Sequence, residues 1–138
     1  RVALRFRSVH AMHDVTEGGL ATAVMELSEA AGRGILVELD RIPLYPETRR
    51  MCSLLGIDAL GLIGSGSMLI GCAQTDTPKL IAALDSAGIE ATVLGEVLDT
   101  PPGVSATQKG APANWPVFAV DEVARFFQEA SSGQHDSP

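Results

Sequence analysis

The sequence predicts an α/β domain of the α+β kind, a mixed β-sheet with helices packed mainly on one face. Three observations carry that prediction. Short β-branched runs alternate with helical periodicity, glycine or proline punctuates most boundaries, and no internal repeat is detectable. The 138 residues match the usual size of one domain, and 46% hydrophobic with 20% charged residues is an ordinary profile for a chain that buries a core. The recurrent strand-like segments exclude a helical bundle.

Val9 to Val15 reads as a short, partly apolar strand. Thr16 to Ala31 then places Leu20, Val24, Leu27 and Ala31 at i, i+4, i+7 and i+11, one face of a helix. Ala31-Gly32-Arg33-Gly34 stops it, and ILVELD at 35–40 resumes as a strand. In IPLYPETRRMCSLLGID, Pro46 opens a helix that runs through Leu55 and ends at Gly56. Gly64-Ser65-Gly66-Ser67 feeds the apolar run Met68 to Ala73, expected as a buried strand.

Asp76 or Thr77 caps the next helix, with Pro78 at its first position, Leu80, Ile81 and Leu84 facing inward and Gly88 as the stop. Residues 89–98 alternate as a strand, with Gly95 marking a bulge. Residues 99–116 are rich in Pro, Gly, Ser, Thr, Ala and Asn, and are expected as a long surface loop. A short strand follows, then a helix begun near Asp121 with Val123, Phe126 and Phe127 available for packing. The domain is expected to span 1–128, leaving 129–138 as a flexible tail.

Charge narrows the function. A formal net charge of −7, with no basic cluster larger than Arg49-Arg50, argues against nucleic acid as partner. No apolar run approaches the ~20 residues of a membrane span and no basic segment precedes a hydrophobic one at the start, so no membrane partner and a cytoplasmic location are expected. Cys52 and Cys72 lack CxxC spacing and read as buried hydrophobes. The chain opens on RVALRFRS without a methionine, which fits a piece of a longer polypeptide and equally fits processing.

Two stretches could carry chemistry. Thr16-Glu17-Gly18-Gly19 leads into a helix whose unpaired N–H groups and dipole suit an anion. The same residues are equally readable as structure, with Thr16 capping the helix and the glycines admitting close packing. Ser65-Gly66-Ser67 could hold a phosphate on N–H and hydroxyl groups, or form a hairpin or bulge. His13 and Asp14 are acid and base candidates, but strand alternation sends their side chains to opposite faces, so direct pairing is not expected. His10 lies three residues from His13 with no third ligand evident, so no metal site is expected; His135 in the tail carries no signal.

In combination, MHDVTEGGLATAVMELSEAAGRGI, IPLYPETRRMCSLLGIDALGLIGSGSMLI, GIEATVLGEV and PVFAVDEVARFF, in that order, resemble the C-terminal domain of the AIR synthase superfamily. That superfamily includes AIR synthase, formylglycinamidine ribonucleotide synthase, selenophosphate synthetase, thiamine-monophosphate kinase and the hydrogenase-maturation carbamoyl dehydratase. The likeness is strongest to the last branch and to AIR-synthase-related proteins without an assigned substrate.

The resemblance implies the substrate-side domain of an ATP-dependent phosphoryl-transfer enzyme that activates an oxygen or small acceptor. It implies ATP and Mg2+ as cofactors of the full-length enzyme, held chiefly by an N-terminal domain absent from this chain, with none bound tightly here. By the same resemblance the full-length protein would be a homodimer, and the isolated domain would not turn over ATP appreciably. Asp14, Thr16, Glu17, Gly18 and Gly19 would line the cleft and bind substrate or phosphate, with Ser65, Gly66 and Ser67 on a facing loop. The chain ends in GQHDSP rather than in the cysteine that the hydrogenase-maturation activity uses, so an unassigned substrate is the expectation. The alternative is a non-catalytic small-molecule-binding or protein-interaction module with the same fold.

Overall fold

The computed structural model describes residues 1–132. Its strands are β1 (Val9–Asp14), β2 (Gly34–Glu38), β3 (Met68–Cys72), β4 (Gly95–Leu98), β5 (Gly103–Gln108) and β6 (Ala111–Ala113). Its helices are α1 (Gly19–Ala31), α2 (Pro46–Leu55), α3 (Thr77–Asp85) and α4 (Glu122–Ser132). The mixed α/β class read from the sequence holds, with the strands divided between two sheets. β1 and β3 form an antiparallel ribbon, and the second sheet has the order β4-β2-β5-β6, in which β2 and β5 are parallel.

The ribbon separates two apolar clusters because successive residues of β3 point to opposite sides. Leu69 joins Val15, Ala23, Val24, Ile35 and Val37 in the core under α1, whereas Ile70 packs with Ala3, Leu80 and Leu84 on the α3 side. α1 lies close over the second sheet by burying small residues, Ala21, Ala23 and Ser28. The Ser28 hydroxyl, fully buried, donates to the Arg33 carbonyl at 2.6 Å and accepts from the Gly103 N–H at 2.9 Å, tying the end of α1 to the start of β5.

Several boundaries differ from the sequence reading. α1 starts at Gly19 rather than Thr16, because Gly18, left-handed at φ 75°, takes the N-cap position and keeps Thr16 and Glu17 outside the helix. The expected strand over 89–98 pairs regularly only from Gly95: Ile89 and Ala91 are exposed, so their alternation lines no core. The expected loop over 99–116 contains β5 and β6, and Ala106 of β5 is buried. No strand forms over 117–120, where the chain instead runs irregularly into α4.

Along the run Met68 to Ala73 both faces of β3 meet apolar clusters, but only Leu69 is buried outright and Met68 is half exposed. On α4, Val123 and Phe127 are exposed rather than packed. α4 continues through Ser132, so residues 129–132 of the expected tail are helical, and the rest of that tail, with His135, lies outside the described residues. No helix among the described residues is long and apolar enough to cross a membrane.

Candidate functional site

The two glycine turns meet at the end of the ribbon. Asp14 closes β1 opposite Met68, and the next N–H, of Val15, donates to the Ser67 carbonyl at 3.2 Å. The Ser67 N–H donates to the Gly64 carbonyl at 2.8 Å, which closes the second turn over Ser65 and Gly66. Gly64 sits on Val15, where a Cβ would come within 2.7 Å of the valine methyl. Of the residues singled out from the sequence, Asp14, Thr16, Glu17, Ser65, Gly66 and Ser67 are exposed on this end, while Gly18 and Gly19 are buried beneath it.

The two turns use glycine differently. A Cβ on Gly19 would overlap the carbonyl oxygens of Leu60 and Leu62, so the start of α1 is seated directly on the backbone of that neighbouring segment. Gly66 has a φ of 92° with nothing within 4 Å of where its Cβ would stand. The Thr16 side chain does not cap α1: Gly18 occupies the N-cap position without a side-chain bond, and the Thr16 carbonyl accepts the Gly19 N–H at 3.0 Å. Close packing, one of the two structural readings of this turn, holds for Gly19; capping by Thr16 does not.

His13 pairs where the sequence argued against it. Its Nε2 lies 2.8 Å from Glu26 Oε2 on α1, and its Nδ1 lies 3.5 Å from Asp14 Oδ1. Burial still alternates along β1 through Asp14, its last residue, so the two side chains lie on opposite faces and meet only at the longer, 3.5 Å contact. Glu26 gave no local signal in the sequence, because it reaches His13 from a different element. His10 is exposed, and among the described residues no three His, Cys, Asp or Glu side chains converge as a metal site.

A second polar cluster lies at the start of α4. Glu122 is 4% exposed; its Oε2 accepts the Asp58 N–H at 2.7 Å, and the Arg125 guanidinium grips its two oxygens at 2.6 and 2.9 Å. The Arg125 hydrogen bond, followed by the one from the Asp58 backbone, holds the Glu122 carboxyl below its ordinary range against the opposing effect of burial. Asp121 accepts from Val123 N–H at 2.9 Å and from Ile63 N–H at 3.0 Å. The sequence placed a helix start at Asp121 but gave no hint of these distant backbone partners.

The cysteines differ in setting. Cys52 is 6% exposed, and burial, reinforced by the Asp58 charge, pushes its thiol up, which disfavours the nucleophilic thiolate. Cys72 is only half-buried, with its sulfur 3.3 Å from the Thr77 hydroxyl.

A two-stranded ribbon and a mixed four-stranded sheet sharing α1, with paired glycine turns at the ribbon's end, define an α/β domain of the AIR synthase C-terminal type. The chain belongs to the family described as AIR synthase related protein, C-terminal domain, whose model matches residues 1–106. Its curated relatives include carbamoyl dehydratase HypE of Cupriavidus necator, 37% identical over 66% of this chain and 26% of that protein. The Escherichia coli HypE is 36% identical over 66% of this chain and 28% of its own length. This chain therefore spans about a quarter of the curated relatives it matches.

The crystal structure of Escherichia coli HypE, a hydrogenase maturation protein, superposes with a TM-score of 0.79 at 29% identity, covering 91% of this chain and 40% of that one. The fold is shared more distantly by a HypE in complex with ATP, at 23% identity and a TM-score of 0.75 over 84% of this chain and 38% of that one.

Proposed function

We propose that this chain is the substrate-side domain, over residues 1–128, of an ATP-dependent phosphoryl-transfer enzyme that activates an amide-type oxygen. It would close a cleft against an N-terminal ATP- and Mg2+-binding domain outside the chain, in a cytoplasmic homodimer. One observation carries the reading: Thr16–Gly19 and Ser65–Ser67 abut on one exposed end, joined by the Val15 N–H to Ser67 carbonyl bond. Family membership supports it, as do the relatives: carbamoyl dehydratases by name, with a HypE solved bound to ATP.

The chemistry of this end suits one wall rather than a whole site. The hydroxyls of Thr16, Ser65 and Ser67 are donors fit for phosphate oxygens, as are the turn N–H groups other than those of Gly19 and Ser67, which the Thr16 and Gly64 carbonyls already take. Asp14 and Glu17 add negative charge, but among the described residues no three His, Cys, Asp or Glu side chains converge, so these residues do not fit Mg2+ by themselves. Phosphoryl transfer rests on positioning and on neutralising charge over the phosphate oxygens, and in this arrangement the cation comes from the opposite wall. ATP, when bound, supplies the transferable phosphoryl group; this chain's residues orient the acceptor and exclude water.

The test uses the full-length polypeptide. Calorimetry should detect Mg-ATP binding, with ATP hydrolysis measured alongside it, and replacing Ser65 and Ser67 together by alanine should weaken binding or slow turnover about tenfold, the effect of roughly one lost hydrogen bond to a charged oxygen. A full-length protein that neither binds nor hydrolyses ATP sinks the proposal. Small-molecule binding without any turnover would instead favour the non-catalytic module.

A further inference from the structure

α4 is attached to the domain in an unusual way. Its apolar Val123 and Phe127 remain 39% and 63% exposed, while the buried side chain among its described ones is a carboxylate, Glu122. The attachment is made to backbone: Glu122 takes the Asp58 N–H, Asp121 takes the Ile63 N–H, and Arg125 donates to the Gly56 carbonyl at 3.2 Å. Asp58 extends the chain of contacts by accepting the Leu60 N–H at 2.9 Å. The Phe118 ring packs on Gly61 from the same side, where a Cβ would come within 2.9 Å of it.

The span held in this way, residues 56–63, supports both glycine turns. The carbonyls of Leu60 and Leu62 are the surface on which Gly19 rests, and Ile63 is the residue immediately before the Gly64–Ser67 turn. Apolar packing would hold such a segment without fixing each N–H. Charged hydrogen bonds to individual N–H groups fix its path residue by residue.

We propose that Asp121 and Glu122, which lie beyond the span matched by the family model, are positioning residues that set the spacing between the two turns. Arg125 acts through Glu122 by filling the remaining lone pairs and cancelling the buried charge. This role rests on the reading of the two turns as one wall of a cleft.

The test is amide hydrogen exchange on this chain with Asp121→Asn and Glu122→Gln. Exchange at Gly19 and Ser67, the hydrogen-bonded amides of the two turns, should accelerate about tenfold or more, while amides of α3, in the separate Leu80 and Leu84 cluster, keep their protection. Acceleration confined to Asp58 and Ile63, or spread uniformly through α3, would overturn the proposal, the first marking a local cap and the second general loosening. Should Glu122→Gln fail to fold, Arg125→Lys keeps the charge, loses the planar fork, and should give the same pattern more weakly. In the full-length protein the variants should lower kcat more than they raise KM; an equal effect of zero on both overturns the role. Absence of Mg-ATP binding by the unmodified full-length protein would remove the cleft reading alone, leaving the exchange pattern to decide whether the clamp spaces the turns.

Discussion

The Thr16–Gly19 and Gly64–Ser67 turns have similar compositions and opposite duties. In the first, glycine is imposed by a neighbour, since the backbone of Leu60–Leu62 occupies the space a side chain would need at Gly19. In the second, Gly66 faces open space and needs glycine only for its φ of 92°. A glycine pair in a sequence therefore signals either close approach or free conformation, and only the element packed against it decides between them. The first turn acts as a fixed floor, the second as a projecting loop.

The comparison is easiest to break at Gly19. Gly19→Ala combines about 1–2 kcal/mol of left-handed strain with overlap against backbone that cannot swing aside, for a total loss of roughly 3 kcal/mol or more by urea denaturation. A loss below about 1 kcal/mol would mean that the floor is pliable. Next comes the support under it. Because Arg125 holds the Glu122 carboxyl below its unfolded value, this group stabilises the fold at neutral pH, and the contribution disappears as pH falls through the depressed folded value. Glu122→Gln should therefore destabilise by about 1–3 kcal/mol at pH 7 and flatten the acid side of the stability profile. An unchanged acid limb would assign the acid sensitivity to other carboxylates.

Gly66→Ala sharpens the contrast from the other side. It should cost only about 1–2 kcal/mol, all of it backbone strain, because the added methyl meets nothing. A cost matching Gly19→Ala would erase the distinction. Smallest of all, Ser65→Ala and Ser67→Ala should each change stability by about 0.5 kcal/mol or less, since both side chains are exposed. A larger loss would give these hydroxyls a structural duty in place of a binding one.

Strong local signals were legible in the sequence. Pro46 and Pro78 lie in the first turns of α2 and α3, and Leu80 and Leu84 are buried as their spacing requires. β5 was hidden for a physical reason. A strand lying close under α1 must be built from small residues, and Gly103-Val104-Ser105-Ala106, preceded by Pro101-Pro102, has the composition of a loop. The positions of the two turns were also legible, but not their contact, which depends on β1 pairing with β3 across more than fifty residues. The pairing of His13 with Glu26 and the α4 clamp were illegible for the same reason: each joins side chains to groups on elements with no local sequence relation to them.

The parallel pairing of β2 with β5 bears on how the chain is made. Gly34 aligns with Gly103 and Glu38 with Thr107, so a strand finished early in synthesis waits for about seventy more residues before its central neighbour exists. During that interval α1 has only part of the surface its small residues are shaped to meet, and β2 presents an open edge beside it. Completion of the larger sheet is thereby tied to the arrival of the Pro- and Gly-flanked segment that looks least like a strand, and folding on the ribosome should stay incomplete until that segment has left the exit tunnel.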